Sequence, residues 1–268
     1  MPYINSDSWE IPNKDTTIIR YFTYDKFKSL IDKKALYFNE ILNYKSSDPA
    51  EGLIPEANKK GIKGLYLNLS LGNEKIEAEN DYEKKYKIVN FIQHFICVNC
   101  WNINYDENKL MWDKYADDKF GVAIRTNIDS LINAFKYTRE EIYIGRIKYV
   151  DHSTFINEQS NPFSFAFLKD KELYAWENEL RLISFVCKEC EAFNKFNNIK
   201  SVRDFFTINF DELKGVDHQF IDVDLNMLLG EVIVSPWADN KYVDYIRSYL
   251  NNNGIKTLVR ESKFKLIK

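Results

Sequence analysis

The segment from Trp176 to Arg181 places two carboxylates and a guanidinium close enough together to do chemistry. Alternate side chains of a β-strand point to the same face, so Glu177, Glu179 and Arg181 would lie together if this segment is a strand. The same face continues with apolar residues, which predicts the charged end of a buried strand. Two interpretations stay open. One is a carboxylate pair that stabilises developing positive charge or activates a nucleophile, and the other is a solvated strand end with an ion pair.

A second candidate is Arg20, which shares its predicted strand face with Ile18 and Phe22. A guanidinium between apolar neighbours requires an anionic partner, because a buried charge without one is costly. The partner is either a carboxylate of the protein or the phosphate of a ligand, which a guanidinium can hold with two parallel hydrogen bonds.

A third candidate is the short predicted helix that contains Trp112 and Tyr115. Residues three apart lie on one helix face, so the two rings would face the same way. Aromatic residues at this spacing are more often part of a core. The alternative is that they stack on a nucleobase or a nicotinamide ring, and Trp101, at the end of the preceding strand, has the same two interpretations.

The four cysteines form two C-x-x-C pairs, Cys97 with Cys100 and Cys187 with Cys190. This spacing is typical of a four-thiolate zinc site. Both pairs fall in or at the end of apolar runs that predict strands, where residues three apart face opposite ways. We therefore predict no metal site, and small buried thiols in a reducing compartment. The sequence also contains no glycine-rich phosphate loop and no nucleophile elbow.

Alternating short strands and helices, without an internal repeat or a linker, predict one α+β domain over residues 1–268, with helices flanking a mixed or antiparallel sheet. The chain has 268 residues, 45% of them hydrophobic, which excludes a largely disordered protein. A charged helical insertion is predicted at about 56–94 and a polar loop at about 189–209. The formal net charge of -3 argues against a general nucleic-acid coat.

The periodicity of apolar residues predicts the individual elements. Predicted strands cover 17–22, 35–39, 95–101, 120–125, 142–149, 176–186, 220–223, 231–234 and 256–260, and predicted helices cover 24–33, 108–115, 131–137 and 240–251.

No segment resembles a secretory signal or a membrane span. Residues 1–11 include Asp7 and Glu10 and lack an apolar core, and no window approaches about 18 uninterrupted apolar residues. We therefore expect a cytoplasmic protein without a membrane partner.

The order of these blocks resembles the bacterial family catalogued as domain of unknown function 2971. The resemblance spans nearly the whole chain and rests on the order and spacing of the blocks together. The matching blocks are Arg20-Tyr21, residues 35–39, 48–52, Cys100-Trp101, Met111-Trp112 with Tyr115-Ala116, residues 121–124, 167–170, 177–181 and 232–238.

The layout of this family is in turn similar to the ADP-ribosyltransferase superfamily, which implies an ADP-ribosyltransferase-like fold and NAD as substrate. In that resemblance Glu179 stabilises the oxocarbenium-like transition state as nicotinamide leaves. Glu177 positions the acceptor or water, and Arg20 meets the phosphates or ribose of NAD. The implied cofactor-binding set is Arg20, Tyr21, Trp101, Trp112, Tyr115 and Arg181, and no metal is implied.

The first functional hypothesis is therefore an NAD-consuming enzyme, either a transferase or an NAD glycohydrolase. Its acceptor would be a protein or a nucleic acid, and the resemblance implies a role as a toxin or antiviral defence effector. The alternative is a non-catalytic module that binds or senses a nucleotide. A third possibility is a nuclease, because scattered acids with a nearby lysine also occur in such enzymes.

Overall fold

Short strands and helices alternate along the chain in the computed structural model, which describes residues 3–4, 7–60, 90, 92–116, 119–158, 161–185 and 217–265. The strands are β1 (Tyr3–Ile4), β2 (Thr17–Phe22), β3 (Ala35–Glu40), β4 (Ile96–Ile103), β5 (Val122–Asn127), β6 (Ile142–Arg146), β7 (Lys148–Val150), β8 (Leu168–Asp170), β9 (Glu179–Phe185), β10 (His218–Asp222), β11 (Glu231–Val234) and β12 (Leu258–Glu261). The α-helices are α1 (Tyr24–Lys33), α2 (Lys109–Tyr115), α3 (Ile128–Ala134), α4 (Lys171–Tyr174), α5 (Leu225–Leu228) and α6 (Asn240–Asn252). Three 3₁₀ turns cover Ile41–Tyr44, Pro162–Phe167 and Ala175–Glu177.

Ten of the described strands form one mixed sheet. Eight of them follow the order β1-β6-β9-β4-β2-β5-β11-β12, and β3 and β10 branch from β4. The pairs β1–β6 and β11–β12 are parallel, and the other pairs of this sheet are antiparallel. The strands β7 and β8 form a separate parallel pair.

The sheet divides along one edge of β4. The other edge of β4 pairs with β9 over seven residues, from Ile96 to Asn102. On the dividing edge, β3 pairs at Cys97 and Val98, whereas β2 pairs at Asn102 and Ile103. Residues 99–101 are therefore paired with neither strand on this edge, and β2 and β3 diverge from each other here. We call this place the sheet fork.

Amphipathic helices cover one face of the sheet. In α1 the buried residues are Phe27, Leu30 and Ile31, which follow helical spacing and pack on the sheet with buried residues of α3, α5 and α6. The opposite face carries two smaller apolar clusters, one around Trp112 and one around Ile183. None of the helices in the described ranges is long and apolar enough to cross a bilayer.

The predicted α+β class, with a mixed sheet and flanking helices, is confirmed. The elements β2, α1 and β11 have the predicted bounds, and most others differ by a few residues at their ends. Most of the predicted insertion at about 56–94 and the whole predicted loop at about 189–209 lie outside the described residues, as do Cys187 and Cys190.

Two predicted strands are corrected. The predicted strand 142–149 is divided at Ile147 into β6 and β7, which belong to different sheets. The strand predicted to begin at Trp176 begins at Glu179 instead, because Ala175–Glu177 form a 3₁₀ turn and Asn178 adopts a left-handed conformation with φ 40°. Glu177 is therefore not a strand residue and does not share a strand face with Glu179.

Gly145 gives a test of packing behind β6. A Cβ atom there would lie 2.3 Å from Cδ1 of Trp9 and 2.8 Å from Cε1 of Phe167, two rings that stack with centroids 4.5 Å apart. We predict that Gly145→Ala lowers the free energy of unfolding by about 1–3 kcal/mol, because the core is overpacked. Urea unfolding measures this change.

A double-mutant cycle identifies the cause. In a Trp9→Ala background the same substitution should cost about 1 kcal/mol less, because the nearest contact has been removed. An equal cost in both backgrounds would show that the clash with Trp9 is not the reason.

Candidate functional site

A buried guanidinium forms the centre of the candidate site. Arg181 lies on β9, between β4 and β6, and is 1% exposed. Its Nε donates to Glu179 Oε1 at 2.7 Å, and its Nη1 donates to Glu51 Oε1 at 2.5 Å and to the Ala166 carbonyl at 2.6 Å. Glu179 stands two residues earlier on the same strand face, as the alternation predicts. Glu51 reaches the site from the loop that follows the first 3₁₀ turn.

Lys169, on β8, connects the carboxylates of the cluster. Its Nζ lies 2.6 Å from Glu177 Oε2, 2.9 Å from Glu179 Oε2 and 3.8 Å from Glu51 Oε2. All three glutamates are more than nine-tenths buried. The residues Glu51, Lys169, Glu177, Glu179 and Arg181 therefore form one enclosed network of alternating charge, which we call the ion cluster.

Glu177 is the member of the ion cluster next to an exposed side chain. The turn Ala175–Glu177 is fixed by Asn102, whose Nδ2 donates to the Glu177 carbonyl at 2.6 Å. The Tyr115 hydroxyl donates to Glu177 Oε1, and the Tyr115 residue is 40% exposed. A surface cleft of about 350 Å³ is lined by Leu110, Asp113, Lys114 and Trp176, and the last two residues directly precede Tyr115 and Glu177 in the chain.

Burial raises the pKa of a glutamate in the ion cluster, and pairing with a cation lowers it. Burial alone would raise the pKa of Glu179, but Arg181 and then Lys169 outweigh it and lower this pKa to about 2. Burial dominates at Glu51 and raises its pKa despite the same two cations. Burial alone would lower the pKa of Lys169, but the carboxylates, Glu179 first, raise it above its ordinary value. The ion cluster therefore holds Glu179 ionised, and Glu51 is protonated more easily than Glu179.

Arg20 lies at the sheet fork, immediately after the last β2 residue that pairs with β4. Its Nη1 atom is enclosed and has no hydrogen-bond partner among the described residues. Its guanidinium carbon lies 5.1 Å from the ring centroid of Phe22 and 6.0 Å from that of Trp101. Burial lowers the pKa of Arg20, while Cys100 and Tyr44 raise it, so both of these side chains lie near its charge.

Cys100 links the sheet fork to the ion cluster. Its thiol interacts with Glu179 and lies within electrostatic range of Arg20. The Arg20 guanidinium itself packs beside Phe22 and Trp101 of the main core, whereas Glu179 shares its strand face with Ile183 of the opposite cluster. Burial, followed by Glu179, raises the pKa of Cys100, which makes it a poor nucleophile. Cys97 packs in the main core and Cys100 packs against the cluster around Ile183, so the strand places the two thiols on opposite faces.

The aromatic candidates separate into core and surface residues. Trp112 is fully buried, packs edge-on against Tyr21 at 5.0 Å between ring centroids, and donates from Nε1 to Glu107. Trp101 is 2% exposed and donates from Nε1 to Asn99. The core interpretation therefore describes Trp112, Tyr21 and Trp101, and Trp101 also borders Arg20. Tyr115, in contrast, faces the ion cluster.

Two residues of the ion cluster received no role from the sequence, namely Glu51 and Lys169. Both fall in blocks that carry the family resemblance, which was the only signal that could have found them. Local spacing could not, because Glu51 and Arg181 are 130 residues apart in the chain.

The chain matches no protein-family model and no curated protein. Membership of the family named above therefore stays a prediction, and the site is interpreted from its own geometry.

The opposite pKa shifts of Glu179 and Glu51 predict opposite effects on acid stability. The folded-state pKa of Glu179 is depressed, so its stabilisation is present above the unfolded pKa and is lost as the pH falls. We predict that Glu179→Gln loses about 2 kcal/mol less unfolding free energy than the wild type between pH 6 and pH 3. The raised pKa of Glu51 has the opposite sign, so Glu51→Gln should lose more than the wild type. Urea unfolding at both pH values measures the two differences.

The exposed Asp15 supplies a control, and Asp15→Asn should follow the wild type. Equal pH dependence of both glutamine variants would contradict the assignment of an ionised Glu179 and a more easily protonated Glu51.

Proposed function

We propose that this protein is a nucleotide-binding module that holds a phosphate group with Arg20 at the sheet fork. One observation carries the proposal, which is the enclosed Nη1 atom of Arg20 without a hydrogen-bond partner in the described ranges. A buried donor on a charged group is costly when unpaired, so this position favours an anionic ligand. The guanidinium can bind two phosphate oxygens at once, and the nearby Phe22 and Trp101 rings provide apolar walls.

Binding without catalysis is favoured by the state of the ion cluster. Glu179 has one carboxylate oxygen bound by Arg181 and the other bound by Lys169, and it is 3% exposed. A catalytic carboxylate must reach the bond that breaks, whereas this one is already occupied by two cations. The ion cluster therefore acts as a rigid support that fixes β9, β8 and the loop carrying Glu51 beside the sheet fork.

Titration calorimetry with NAD, ADP and inorganic phosphate tests the proposal. We expect the wild type to bind at least one of these compounds and Arg20→Gln to bind it at least about tenfold more weakly, since a charge-assisted hydrogen bond is lost. The control Arg20→Lys keeps the charge but not the paired donors, so its affinity should be intermediate. Equal affinity of all three proteins would refute a phosphate site at Arg20.

A second candidate function is cleavage of NAD, as the resemblance to ADP-ribosyltransferases implies. The observation that favours it is that Cys100 lies within electrostatic range of both Arg20 and Glu179. The C–N bond to nicotinamide breaks with positive charge developing on the ribose, and an ionised carboxylate beside that carbon would stabilise the charge. This reaction requires Lys169 to release Glu179 when the ligand binds. A protein or nucleic-acid acceptor and a role as a toxin or antiviral effector depend on this second candidate and rest on the resemblance alone.

Release of nicotinamide distinguishes the two candidates. If NAD is cleaved, Glu179→Gln should lower turnover by about two to three orders of magnitude and leave NAD affinity nearly unchanged, because the charge acts only in the transition state. Circular dichroism is the control that checks whether the variant is folded. If the wild-type protein binds NAD and releases no nicotinamide, NAD cleavage is refuted and the nucleotide-binding function remains.

A further inference from the structure

Asp48 adds a fourth carboxylate next to the ion cluster. It lies three residues before Glu51 in the same loop and is 3% exposed. Only two buried cations, those of Lys169 and Arg181, stand near four buried carboxylates. The carboxylates belong to Asp48, Glu51, Glu177 and Glu179. Buried charges persist when they are paired, so this region lacks positive charge.

One oxygen of Asp48 is unpaired. Oδ1 accepts the Ala50 N–H at 3.0 Å, which is a local turn contact. Oδ2 is enclosed and has no hydrogen-bond partner within the part of the chain that the structure describes. An asparagine would satisfy the turn equally well, so the local fold does not explain why a charged residue is present.

Tyr174 shows where Asp48 faces. Burial and then Asp48 raise the pKa of the Tyr174 hydroxyl, Glu177 and Glu51 raise it further, and Lys169 lowers it. The hydroxyl therefore lies near Asp48 and near three residues of the ion cluster. It donates to the Ser47 carbonyl at 2.6 Å, and this exposed hydrogen bond joins Tyr174 to the residue directly before Asp48.

We propose that Asp48 Oδ2, beside Glu51 and Tyr174, binds the primary ammonium group of a small ligand. The site is separate from the phosphate site at Arg20 and does not depend on it. A ligand reaches it when the exposed contact between Tyr174 and Ser47 opens.

The contacts of the ion cluster favour an ammonium group over a metal ion. Its glutamates already accept hydrogen bonds from nitrogen donors, and Lys169 places its own ammonium 4.9 Å from the centroid of the Tyr174 ring. An ammonium is attracted to an aromatic face in this way. In contrast, no three acidic, histidine or cysteine side chains within the described ranges form a group that could hold a metal ion.

Thermal unfolding without nucleotide tests the site. Ethylammonium chloride, which has three N–H donors, is compared with tetramethylammonium chloride, which has none, at equal ionic strength. We expect ethylammonium to raise the Tm of the wild type by several degrees at saturation and tetramethylammonium to leave it unchanged, because a ligand that binds only the folded state stabilises it. An equal response to both salts would overturn the proposal, and so would a rise with magnesium or potassium chloride alone.

The variant Asp48→Asn supplies the second measurement. It keeps the Oδ1 acceptor for Ala50 and removes the unpaired charge. We expect its Tm without ligand to exceed that of the wild type and its response to ethylammonium to be lost, whereas the exposed control Asp15→Asn should behave like the wild type. If Asp48→Asn responds to ethylammonium as the wild type does, or if it is destabilised without ligand, the Asp48 carboxylate is structural and the proposal fails.

Discussion

The structure depends on the guanidinium of Arg181 in the middle of the large sheet. A charge at 1% exposure is tolerated because acceptors surround it, and they come from three distant parts of the chain. Glu179 precedes it on β9, Glu51 comes from the loop before residue 55, and the Ala166 carbonyl comes from the turn before β8. Satisfying one side chain therefore fixes the positions of two connecting segments against the sheet.

This arrangement makes the ion cluster more important for specifying one packing of the chain than for raising the free energy of unfolding. Replacing a whole buried ion network by apolar residues is often neutral or stabilising, whereas removing one partner costs about 3–5 kcal/mol because a charge is left unpaired. Lys169 contacts two of the glutamates closely, so the network ties β8 to the start of β9. The physical role of the ion cluster is to hold Glu177, Glu179 and the loop of Glu51 in one fixed geometry beside the sheet fork.

The sequence predicted the regular elements well and the site only in part. The apolar spacing in α1 and the alternation in β2 and β11 are strong, and their bounds agree with the structure. The position of Glu177 could not be predicted from alternation, because Asn178 adopts a left-handed conformation before the strand begins. This conformation does not change the pattern of apolar residues in the sequence.

The burial of the charged residues also could not be predicted from the sequence. A solvated strand end and a buried ion network have the same local pattern of glutamates and arginine. They differ through Glu51 and Lys169, which are brought to β9 by tertiary contacts. A pairing that spans 130 residues has no periodicity to reveal it, so the burial of Glu179 follows only from the fold.

Two unpaired charges of opposite sign remain near the ion cluster, and Tyr44 interacts with both of the residues that carry them. Its hydroxyl lies near Arg20, while its carbonyl accepts the backbone N–H of Asp48 at 2.7 Å. An Arg and an Asp that are both partly or fully enclosed would normally pair with each other, since each is costly alone. Here they do not pair, and Arg20 Nη1 and Asp48 Oδ2 each keep a free hydrogen-bonding position within the described part of the chain. A fold that leaves two buried groups of opposite charge unpaired is the arrangement expected of ligand sites, where stability is exchanged for binding.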